Sequence, residues 1–400
     1  MTGASSSRPL VFGPADDDAF VRPYLQTLLR RSDALNTAVH QDDEMFLFRK
    51  KMVGGDVLKA LCSYFGLGKQ VFDAAAQILL ARFGSLEKVS SILDFACGYG
   101  RSTRFLIQEI PPERVWASDI SVGAVRFQQE QFGVHGLAST ADPQDFNCDE
   151  RFDCVFVASL FTHLPERVFA LWLKKLWSLL KMPGGCLVFS VHGPAINPNV
   201  TMPASGFWFE ETSEIETLPK KDYGSTLVTE SFVRNAIQEA TGGAGSYLHI
   251  ERGLCRRQDL YVVTSDRFLT PTNFRFGLGP QGYLETCSRV TPKVMSVTGW
   301  AGDATPNTYI DEVQIRIDGR IVQKCMPFAE RPDVAEYFND PKFLNSGLGC
   351  NCLGLEGTTG SSALTLKAVS SNGQEFIFYH DTLARAFSEL APRKESQGNF

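Results

Sequence analysis

Two acids and two glycines are spaced in a way that is typical of a small-molecule site. Asp94 is followed by Gly98 and Gly100, and Asp119 lies nineteen residues beyond Gly100. Because glycine carries no Cβ, the backbone at Gly98 and Gly100 can turn sharply and approach a ligand closely. The carboxylate of Asp119 can accept hydrogen bonds from two vicinal hydroxyls. The pattern therefore predicts a ligand-binding turn over residues 94–100.

The elements around this turn are predicted to place it at the edge of a parallel sheet. A buried strand over 92–95 leads into the turn, and helical character begins at Arg101. Strands and amphipathic helices alternate downstream, which predicts an α/β fold with helices on both faces of a mostly parallel sheet. The predicted strands cover 115–118, 136–140, 152–158, 186–191 and 259–263, and the predicted helices cover 122–132, 165–180 and 230–239. In such sheets, ligands bind beyond the carboxyl ends of the strands.

Two ligand classes use a strand, a glycine turn and a helix in this order: dinucleotides and S-adenosylmethionine. The dinucleotide fingerprint requires a third glycine three residues after the second. Thr103 occupies that position here. A nicotinamide-dependent oxidoreductase is therefore disfavoured.

The segment from Asp94 to Gly100 resembles the first motif of class I S-adenosylmethionine-dependent methyltransferases, in which an acid precedes a G-x-G turn. Asp119 matches the ribose-binding acid of that family. Phe152-Asp153 and the segment 180–185 are similar to two later landmarks, with Met182 as a departure from the usual L-K-P-G-G. The resemblance covers about residues 85–265. It implies a Rossmann-like methyltransferase sheet, S-adenosyl-L-methionine as cofactor and no required metal.

The resemblance also implies a set of cofactor-binding residues at the carboxyl ends of the strands. Asp94 is expected at the methionine end of the cofactor, with a turn or helix cap as its alternative role. Asp119 is expected at the ribose, with an ordinary strand-end acid as its alternative. Asp142 is expected near the adenine, and a solvated loop acid is an equal alternative. The full set is Asp94, Ala96, Cys97, Gly98, Tyr99, Gly100, Asp119, Ile120, Asp142 and Ser159.

His163 and His192 are the candidate catalytic residues. His163 follows the predicted strand 152–158, where an acceptor would meet the methyl group, and its unperturbed pKa near neutrality suits proton removal. A histidine that only orders the turn before Pro165 is an equal alternative. His192 follows the strand 186–191 and is the second candidate. Tyr223 and Gln258 could line the acceptor pocket, although structural roles are favoured for both.

A narrower resemblance concerns the acceptor. The segments 159–166 and 191–193, with Trp172, look like a bacterial methyltransferase subgroup associated with cell-surface glycan biosynthesis. Residues 331–335 and the region around them resemble an accessory domain found beside such enzymes and beside glycosyltransferases. This resemblance implies O-methylation of a sugar, a glycan precursor or a related small metabolite.

The remaining chain divides into three predicted regions. Residues 1–84 are expected to form a helical preface, with helices over 20–39, 56–65 and 70–83 separated by glycines. Residues 85–267 are the expected methyltransferase domain. Residues 268–386 alternate in polarity around Asp318-Gly319 and Asn372-Gly373, which predicts hairpins in a helix-free antiparallel β-sandwich. Residues 387–400 are expected to be a flexible tail.

Composition limits the function classes. The 400 residues carry a net charge of −6, which argues against a nucleic-acid-binding surface as the main function. The amino terminus lacks an apolar signal core and the apolar runs are too short to span a bilayer, so we expect a cytoplasmic protein. Ten scattered cysteines are expected to be reduced and mostly buried. No metal-ligand cluster is recognised, and a homo-oligomer is left open.

Two hypotheses of different class follow. The leading one is a methyltransferase acting on a small-molecule or glycan acceptor. The alternative is a non-catalytic methyltransferase-like module that keeps its cofactor pocket for binding or assembly. The set of Asp94, Gly98, Gly100 and Asp119 disfavours loss of the pocket but does not decide between the two.

Overall fold

The computed structural model describes residues 17–29, 35–212, 218–266 and 274–391. They form two compact units. The first contains the described residues between 35 and 276, and the second contains residues 17–29 together with 277–391. Helix α1 (Val21–Leu28) therefore belongs to the second unit. The sequence alone instead predicts it among the helices that precede the sheet.

The first unit is built on a seven-stranded sheet with the order β3-β2-β1-β4-β5-β9-β8. Strands β1 to β5 are parallel, whereas β9 runs antiparallel between β5 and β8. Strands β6 and β7 form a separate hairpin. The bounds are β1 (Ile92–Phe95), β2 (Val115–Asp119), β3 (His135–Ala138), β4 (Cys154–Val157), β5 (Cys186–Val191), β6 (Phe207–Glu210), β7 (Ser225–Val228), β8 (Ser246–Leu254) and β9 (Gln258–Thr264). The parallel α/β prediction is confirmed.

Helices accompany this sheet along the chain. Those before it are α2 (Glu44–Met52) and α3 (Val57–Phe83), and those after its first strand are α4 (Thr103–Leu106), α5 (Val122–Phe132), α6 (Glu166–Ser178) and α7 (Glu230–Ala240). The sequence marks the ends of α5 clearly. The Ser121 side chain accepts a hydrogen bond from the amide of Ala124, and Gly133 ends the helix with φ of 70°. Every residue of β1, β4 and β5 is buried, as central strands covered on both faces require.

Several elements predicted before and within the seven-stranded sheet are wrong. The helices expected over 56–65 and 70–83 are one continuous helix, α3, in which Gly66 and Gly68 are buried. A Cβ at Gly68 would collide with the backbone oxygen of Arg101, so this glycine permits close packing instead of breaking the helix. Helix α2 and strand β8 were not predicted. The helix expected over 20–39 ends at Leu28.

The second unit contains two antiparallel sheets, ordered β10-β11-β14 and β13-β12-β15-β16. Apolar residues from both sheets form one buried cluster. The bounds are β10 (Pro280–Thr291), β11 (Val294–Asp303), β12 (Ile310–Ile317), β13 (Arg320–Cys325), β14 (Gly347–Leu353), β15 (Ala363–Ser370) and β16 (Glu375–Thr382). The two predicted hairpins are confirmed: Asp318 and Gly319 turn between β12 and β13 with φ of 48° and 79°, and Gly373 turns between β15 and β16.

Three expectations for this unit are wrong. The region is not helix-free, since it contains α8 (Pro332–Phe338) and α9 (Leu383–Glu389). Helix α9 also occupies the start of the predicted flexible tail, whose residues 392–400 lie outside the described residues. Finally, Cys325 at the end of β13 forms a disulfide with Cys350 in β14, so these two thiols are not reduced.

Helix α1 packs on strands β15 and β16. The His380 ring lies against Phe20 and Tyr24, with centroid distances of 4.4 and 5.0 Å. Lys367, which is 6% exposed, places its Nζ 3.3 Å from the carbonyl oxygen of Thr27 and 3.0 Å from Oε2 of Glu375. This helix therefore completes the second unit. None of the described helices combines the length and apolar character needed to cross a bilayer.

Candidate active site

The turn after β1 has the backbone geometry that the glycine spacing predicts. Gly98 and Gly100 adopt φ of 54° and 75°, and Ala96 also has a positive φ of 56°. A Cβ built on Gly98 meets no atom within 4 Å, whereas one on Gly100 would collide with Phe132 and Gln128. The Gly98 side of the turn is thus open, and the Gly100 side is packed against α5.

Asp119, at the end of β2, joins this turn. Its Oδ2 accepts a hydrogen bond from the amide of Gly98 at 2.8 Å, and its Oδ1 accepts one from the amide of Ser121 at 2.9 Å. Burial raises the pKa of the Asp119 carboxyl, although these amide donors oppose the rise. Each carboxylate oxygen can accept more than one hydrogen bond, so both retain capacity for a ligand hydroxyl.

Asp94 contacts the start of the following helix. Its side chain is buried, and Oδ2 accepts hydrogen bonds from Thr103 Oγ1 at 2.8 Å and Ser102 Oγ at 3.4 Å. Burial raises the pKa of Asp94 to about 6, even though these hydroxyl donors lower it. Both donors are side-chain hydroxyls, so these contacts tie the end of β1 to the start of α4 without capping a backbone amide of the helix. A contact with the methionine end of a cofactor stays a prediction.

The other residues of the turn have different surroundings. The Cys97 thiol faces inward, 2.9 Å from Gln128 Nε2, and the same amide group donates to the carbonyl of Gly98 at 2.7 Å. The Tyr99 ring stacks on His40 with a centroid distance of 4.6 Å. His40 precedes α2 and gave no signal in the sequence. Its imidazole ring adds a second aromatic surface beside Tyr99.

Two cofactor candidates lie beside β2 and β3. Ile120 directly follows Asp119 and is 41% exposed. Asp142 is exposed, and its Oδ1 accepts a hydrogen bond from the amide of Gln144 at 2.9 Å. This contact belongs to an acid that orders its own loop, which was the alternative for Asp142. Adenine contacts of both residues stay predictions.

A buried arginine that sequence reasoning missed fixes the Gly100 side of the turn. The Arg104 side chain is fully buried and donates from Nε to the carbonyl of Gly100 at 3.1 Å. Its Nη1 donates to the carbonyls of Asn36 and Ala38 at 2.8 and 3.0 Å, and its Nη2 lies 3.4 Å from the hydroxyl of Tyr64. That hydroxyl also donates to Oδ2 of Asp43. Arg104 thus connects the turn to the segment before α2 and to α3.

The arrangement fits an S-adenosyl cofactor. The open space at Gly98 admits a ligand close to the backbone, and Asp119 offers carboxylate oxygens to vicinal hydroxyls. Ile120 adds a partly exposed apolar surface beside them. These are the kinds of groups that a nucleoside requires: hydroxyl acceptors, an apolar contact and an accessible backbone.

The ends of β4 and β5 are linked by a polar network. Ser159, with a positive φ of 63°, donates its amide hydrogen to Ser190 Oγ at 2.8 Å. The Gln258 side-chain amide contacts both hydroxyls, accepting from Ser190 Oγ at 2.6 Å and donating to Ser159 Oγ at 3.0 Å. Gln258 begins β9, which is antiparallel to β5, so the network spans three neighbouring strands at one edge.

His163 lies beyond β4 and is held in one orientation. Its ring is 7% exposed and stacks on Tyr223 with a centroid distance of 4.4 Å. Nδ1 lies 2.7 Å from the carbonyl oxygen of Gly224. A carbonyl only accepts, so Nδ1 carries the proton and Nε2 of the neutral ring is the basic nitrogen. The sequence could not pair His163 with Gly224, because sixty-one residues separate them.

His192 follows β5 and is close enough to His163 for their charges to interact. Burial, and to a smaller extent the positive charge of a protonated His163, lower the pKa of His192 to about 4. Asp259 opposes this shift. Its Oδ2 accepts a hydrogen bond from His249 Nε2 at 3.2 Å, and it would lie 2.8 Å from a Cβ on Gly193. His192 is thus neutral near pH 7, and Asp259 and His249 are neighbours that the sequence did not reveal.

Part of the first unit is similar to known proteins. Residues 92–185 match the family model described as a methyltransferase domain. The chain is 27% identical over 161 residues to (S)-coclaurine N-methyltransferase from Thalictrum flavum subsp. glaucum, covering 38% of this chain and 44% of that relative. It thus spans less than half the length of the curated relative.

Solved structures also align with this chain. An S-adenosylmethionine-dependent methyltransferase from Clostridium acetobutylicum ATCC 824 is 16% identical, covering 55% of this chain and 96% of its own, with a TM-score of 0.38. DesVI from Streptomyces venezuelae is 16% identical, covering 50% and 94%, with a TM-score of 0.37. The glycopeptide N-methyltransferase MtfA, complexed with sinefungin, is 14% identical, covering 48% and 85%, with a TM-score of 0.35.

The strand order and the glycine turn agree with the family match, which spans β1 through the turn before β5. Residues 92–185 of this chain therefore resemble a methyltransferase domain.

Proposed function

We propose that this protein transfers a methyl group from S-adenosylmethionine to a hydroxyl of a small-molecule acceptor, such as a sugar, a glycan precursor or a related metabolite. The observation that carries the proposal is His163, which donates from Nδ1 to the Gly224 carbonyl and thereby presents Nε2 as a base beyond β4. A hydroxyl has a high pKa, so its reaction benefits from such a base. The narrower resemblance of segments 159–166 and 191–193 supports the glycan acceptor.

The cofactor, when bound, supplies a methyl group that is already activated by a sulfonium. The chain then has to bind and orient the cofactor and the acceptor and to exclude water from the reaction. Asp119 would hold the ribose hydroxyls, and the open backbone at Gly98 would admit the cofactor. Ser159, fixed by Ser190 and Gln258, would order the strand ends at which the acceptor arrives.

His163 would take the acceptor proton on Nε2. The resulting positive charge is shared with Nδ1, which the Gly224 carbonyl already binds at 2.7 Å. The stacked Tyr223 ring limits the orientations of the imidazole. His192, with its pKa lowered to about 4, is a weak base and is proposed to line the acceptor pocket.

N-methylation is the second candidate. The relative from Thalictrum flavum is named an N-methyltransferase, which favours an amine acceptor. An amine that is neutral at the working pH needs less help from a base than a hydroxyl does. The two candidates therefore differ in how strongly turnover depends on His163.

We further propose that residues 85–267 form the catalytic domain and residues 268–386 an accessory domain that binds glycan or a partner. We also propose that the protein works in the cytoplasm. The methyltransferase signature at 92–185 supports the first assignment, and the resemblance at 331–335 supports the second.

The test compares His163→Ala with His135→Ala in the full chain. His135 is a matched control, because its Nε2 also contacts a backbone carbonyl, that of Glu113, at 3.1 Å. S-adenosylhomocysteine affinity is measured by calorimetry, and turnover is measured by S-adenosylhomocysteine release against panels of sugars and amines. We expect H163A to lose roughly 100-fold or more in turnover on a hydroxyl acceptor with unchanged cofactor affinity.

The outcomes separate the hypotheses. A wild-type protein that binds S-adenosylhomocysteine but methylates no acceptor in the panels favours the non-catalytic binding module. Turnover that is confined to amines and insensitive to H163A supports N-methylation. Loss of cofactor binding or of the folded circular dichroism spectrum in H163A contradicts the base assignment.

A further inference from the structure

Three arginines from separate segments gather around one side of the glycine turn. Arg101 directly follows Gly100, Arg49 lies in α2, and Arg257 lies in the turn between β8 and β9. Within the described residues, neither Arg101 nor Arg257 has a side-chain hydrogen bond or ion pair, and the side chain of Arg49 hydrogen-bonds only to Ser63. Arg49 and Arg101 are half-buried, whereas Arg257 is exposed.

Helix α3 brings the first two together. Arg49 Nε donates to Ser63 Oγ at 2.9 Å. Gly68 of the same helix packs against the backbone and the Cγ of Arg101. Five residues of a helix rise by about 7.5 Å. The two arginines therefore contact α3 at points roughly one and a half turns apart.

The third arginine reaches the same region from the sheet. Helix α3 packs on β8, and β8 ends at Leu254, just before the turn. Cys255 and Arg256 make this turn with φ of 51° and 56°, and Arg257 follows them. The next residue, Gln258, hydrogen-bonds to Ser159 and Ser190 at the ends of β4 and β5. Arg257 thus lies next to the carboxyl ends of β4 and β5, where the acceptor is proposed to bind.

The charges of these residues act on one another. Burial lowers the pKa of Arg49, and the positive charges of Arg101 and Arg257 lower it further. Burial raises the pKa of the Cys255 thiol, and Arg101, Arg256 and Arg257 oppose that rise. The repulsion among the arginines is therefore relieved by an added anion.

We propose that Arg49, Arg101 and Arg257 form a binding site for an anionic group, a phosphate or a carboxylate, carried by the methyl acceptor. Guanidinium groups bind both anions through paired N–H donors. The site deepens the proposed function and rests on it, since it specifies that the acceptor is an acidic or phosphorylated molecule. The anion would anchor the acceptor while a different part of it reaches His163.

The test uses calorimetry on the full chain, with inorganic phosphate and succinate as probes, each with and without saturating S-adenosylhomocysteine. The variant is R101Q/R257Q, and the single variant R257Q serves as a milder change. The control is K88Q/R114Q, which also removes two positive charges. These residues lie just before β1 and β2, at the amino-terminal ends of the parallel strands and opposite the glycine turn. We expect the R101Q/R257Q variant to weaken phosphate or succinate binding by roughly tenfold or more, and the control to leave it unchanged.

The probes also distinguish the acceptor's anion from the cofactor's own carboxylate. S-adenosylhomocysteine carries that carboxylate, whereas 5′-methylthioadenosine lacks it. If R101Q/R257Q weakens the former and spares the latter, the arginines hold the cofactor and the acceptor proposal is overturned. It is also overturned if the wild type binds neither phosphate nor succinate. Failure of the wild type to bind either adenosyl ligand instead contradicts the proposed function, independently of the anion result.

Discussion

Replacing Arg104 with lysine is expected to destabilise the first unit strongly, even though the charge is kept. The guanidinium is fully buried and donates to three backbone carbonyls, those of Asn36, Ala38 and Gly100. It also lies over the rings of Tyr64, Phe65 and Phe132 at 5.2–5.4 Å. A lysine ammonium is a single point charge, so it cannot reproduce this planar fork.

The magnitude follows from the partners that lysine leaves unpaired. The Nε bond to Gly100 and the two Nη1 bonds leave the guanidinium in different directions, so one ammonium cannot serve all three carbonyls. Each buried group that loses its partner costs about 1–3 kcal/mol. With the lost ring contacts, we expect R104K to lower the free energy of unfolding by about 3–5 kcal/mol. This corresponds to a decrease in Tm of roughly 6–20 °C for a unit of this size.

The assay must report on the first unit alone. Of the five tryptophans, only Trp300 lies in the second unit, so urea unfolding followed by tryptophan fluorescence in a W300F background isolates the first. Arg114 is the matched control, because its side chain donates to a backbone carbonyl, that of Glu87, but does so at the surface. We expect R114K to cost less than about 1 kcal/mol. A loss below about 1 kcal/mol in R104K as well would refute the reasoning that the buried fork holds the turn.

Two further predictions concern the same turn. G100A is expected to lower the unfolding free energy by about 2–4 kcal/mol, because a Cβ collides with Phe132 and Gln128 at a positive φ, whereas G98A should cost only about 1–2 kcal/mol but weaken S-adenosylhomocysteine binding. Urea unfolding measures the stability of both variants, and calorimetry measures their affinity for S-adenosylhomocysteine. Equal destabilisation by the two variants would contradict the inference that the turn is open at Gly98 and packed at Gly100. For Asp94, the pKa is about 6 when folded and 3.8 in the reference state, so the unfolded chain loses its proton first and the free energy of unfolding falls by roughly 2.4 kcal/mol as the pH rises from 4 to 7. D94N lacks this titration, so the difference in unfolding free energy between wild type and D94N should change by that amount over the same range. A pH-independent difference would show that folding does not raise the pKa of this carboxyl.

Elements whose ends are marked locally could be predicted from the sequence. Helix α5 has its observed bounds because Ser121 caps its start and Gly133 its end. Strand β5 was predicted over its observed residues, because an apolar strand follows a Pro-Gly-Gly stop. Both signals depend on neighbouring residues alone, so no tertiary information was needed.

The failures depend on contacts between distant segments. Gly66 and Gly68 look like helix breakers, yet α3 continues because Arg101 packs where a Cβ would lie. The burial of Arg104 depends on carbonyls sixty-six and sixty-eight residues away. The disulfide of Cys325 with Cys350 carries no spacing signal.

At the candidate site, the family motif located the turn and the base candidate, whose cofactor and catalytic roles stay predictions. The residues that define the chemistry of these side chains are distant in sequence, and only the fold brings them into contact. Gly224 fixes the tautomer of His163, and Asp43 reaches Arg104 through Tyr64. No local pattern connects these residues, since each pair joins separate loops or helices.

The position of α1 in the second unit has a consequence for biosynthesis. Residues 21–28 emerge from the ribosome before the whole seven-stranded sheet of the first unit, but their partner strands β15 and β16 are made more than three hundred residues later. At typical elongation rates, the helix waits roughly 15–70 s for these strands. Its buried face, which includes Val21, Tyr24 and Leu25, is exposed for that time and is available to a chaperone. The second unit therefore reaches its native packing only when both ends of the sequence have been translated.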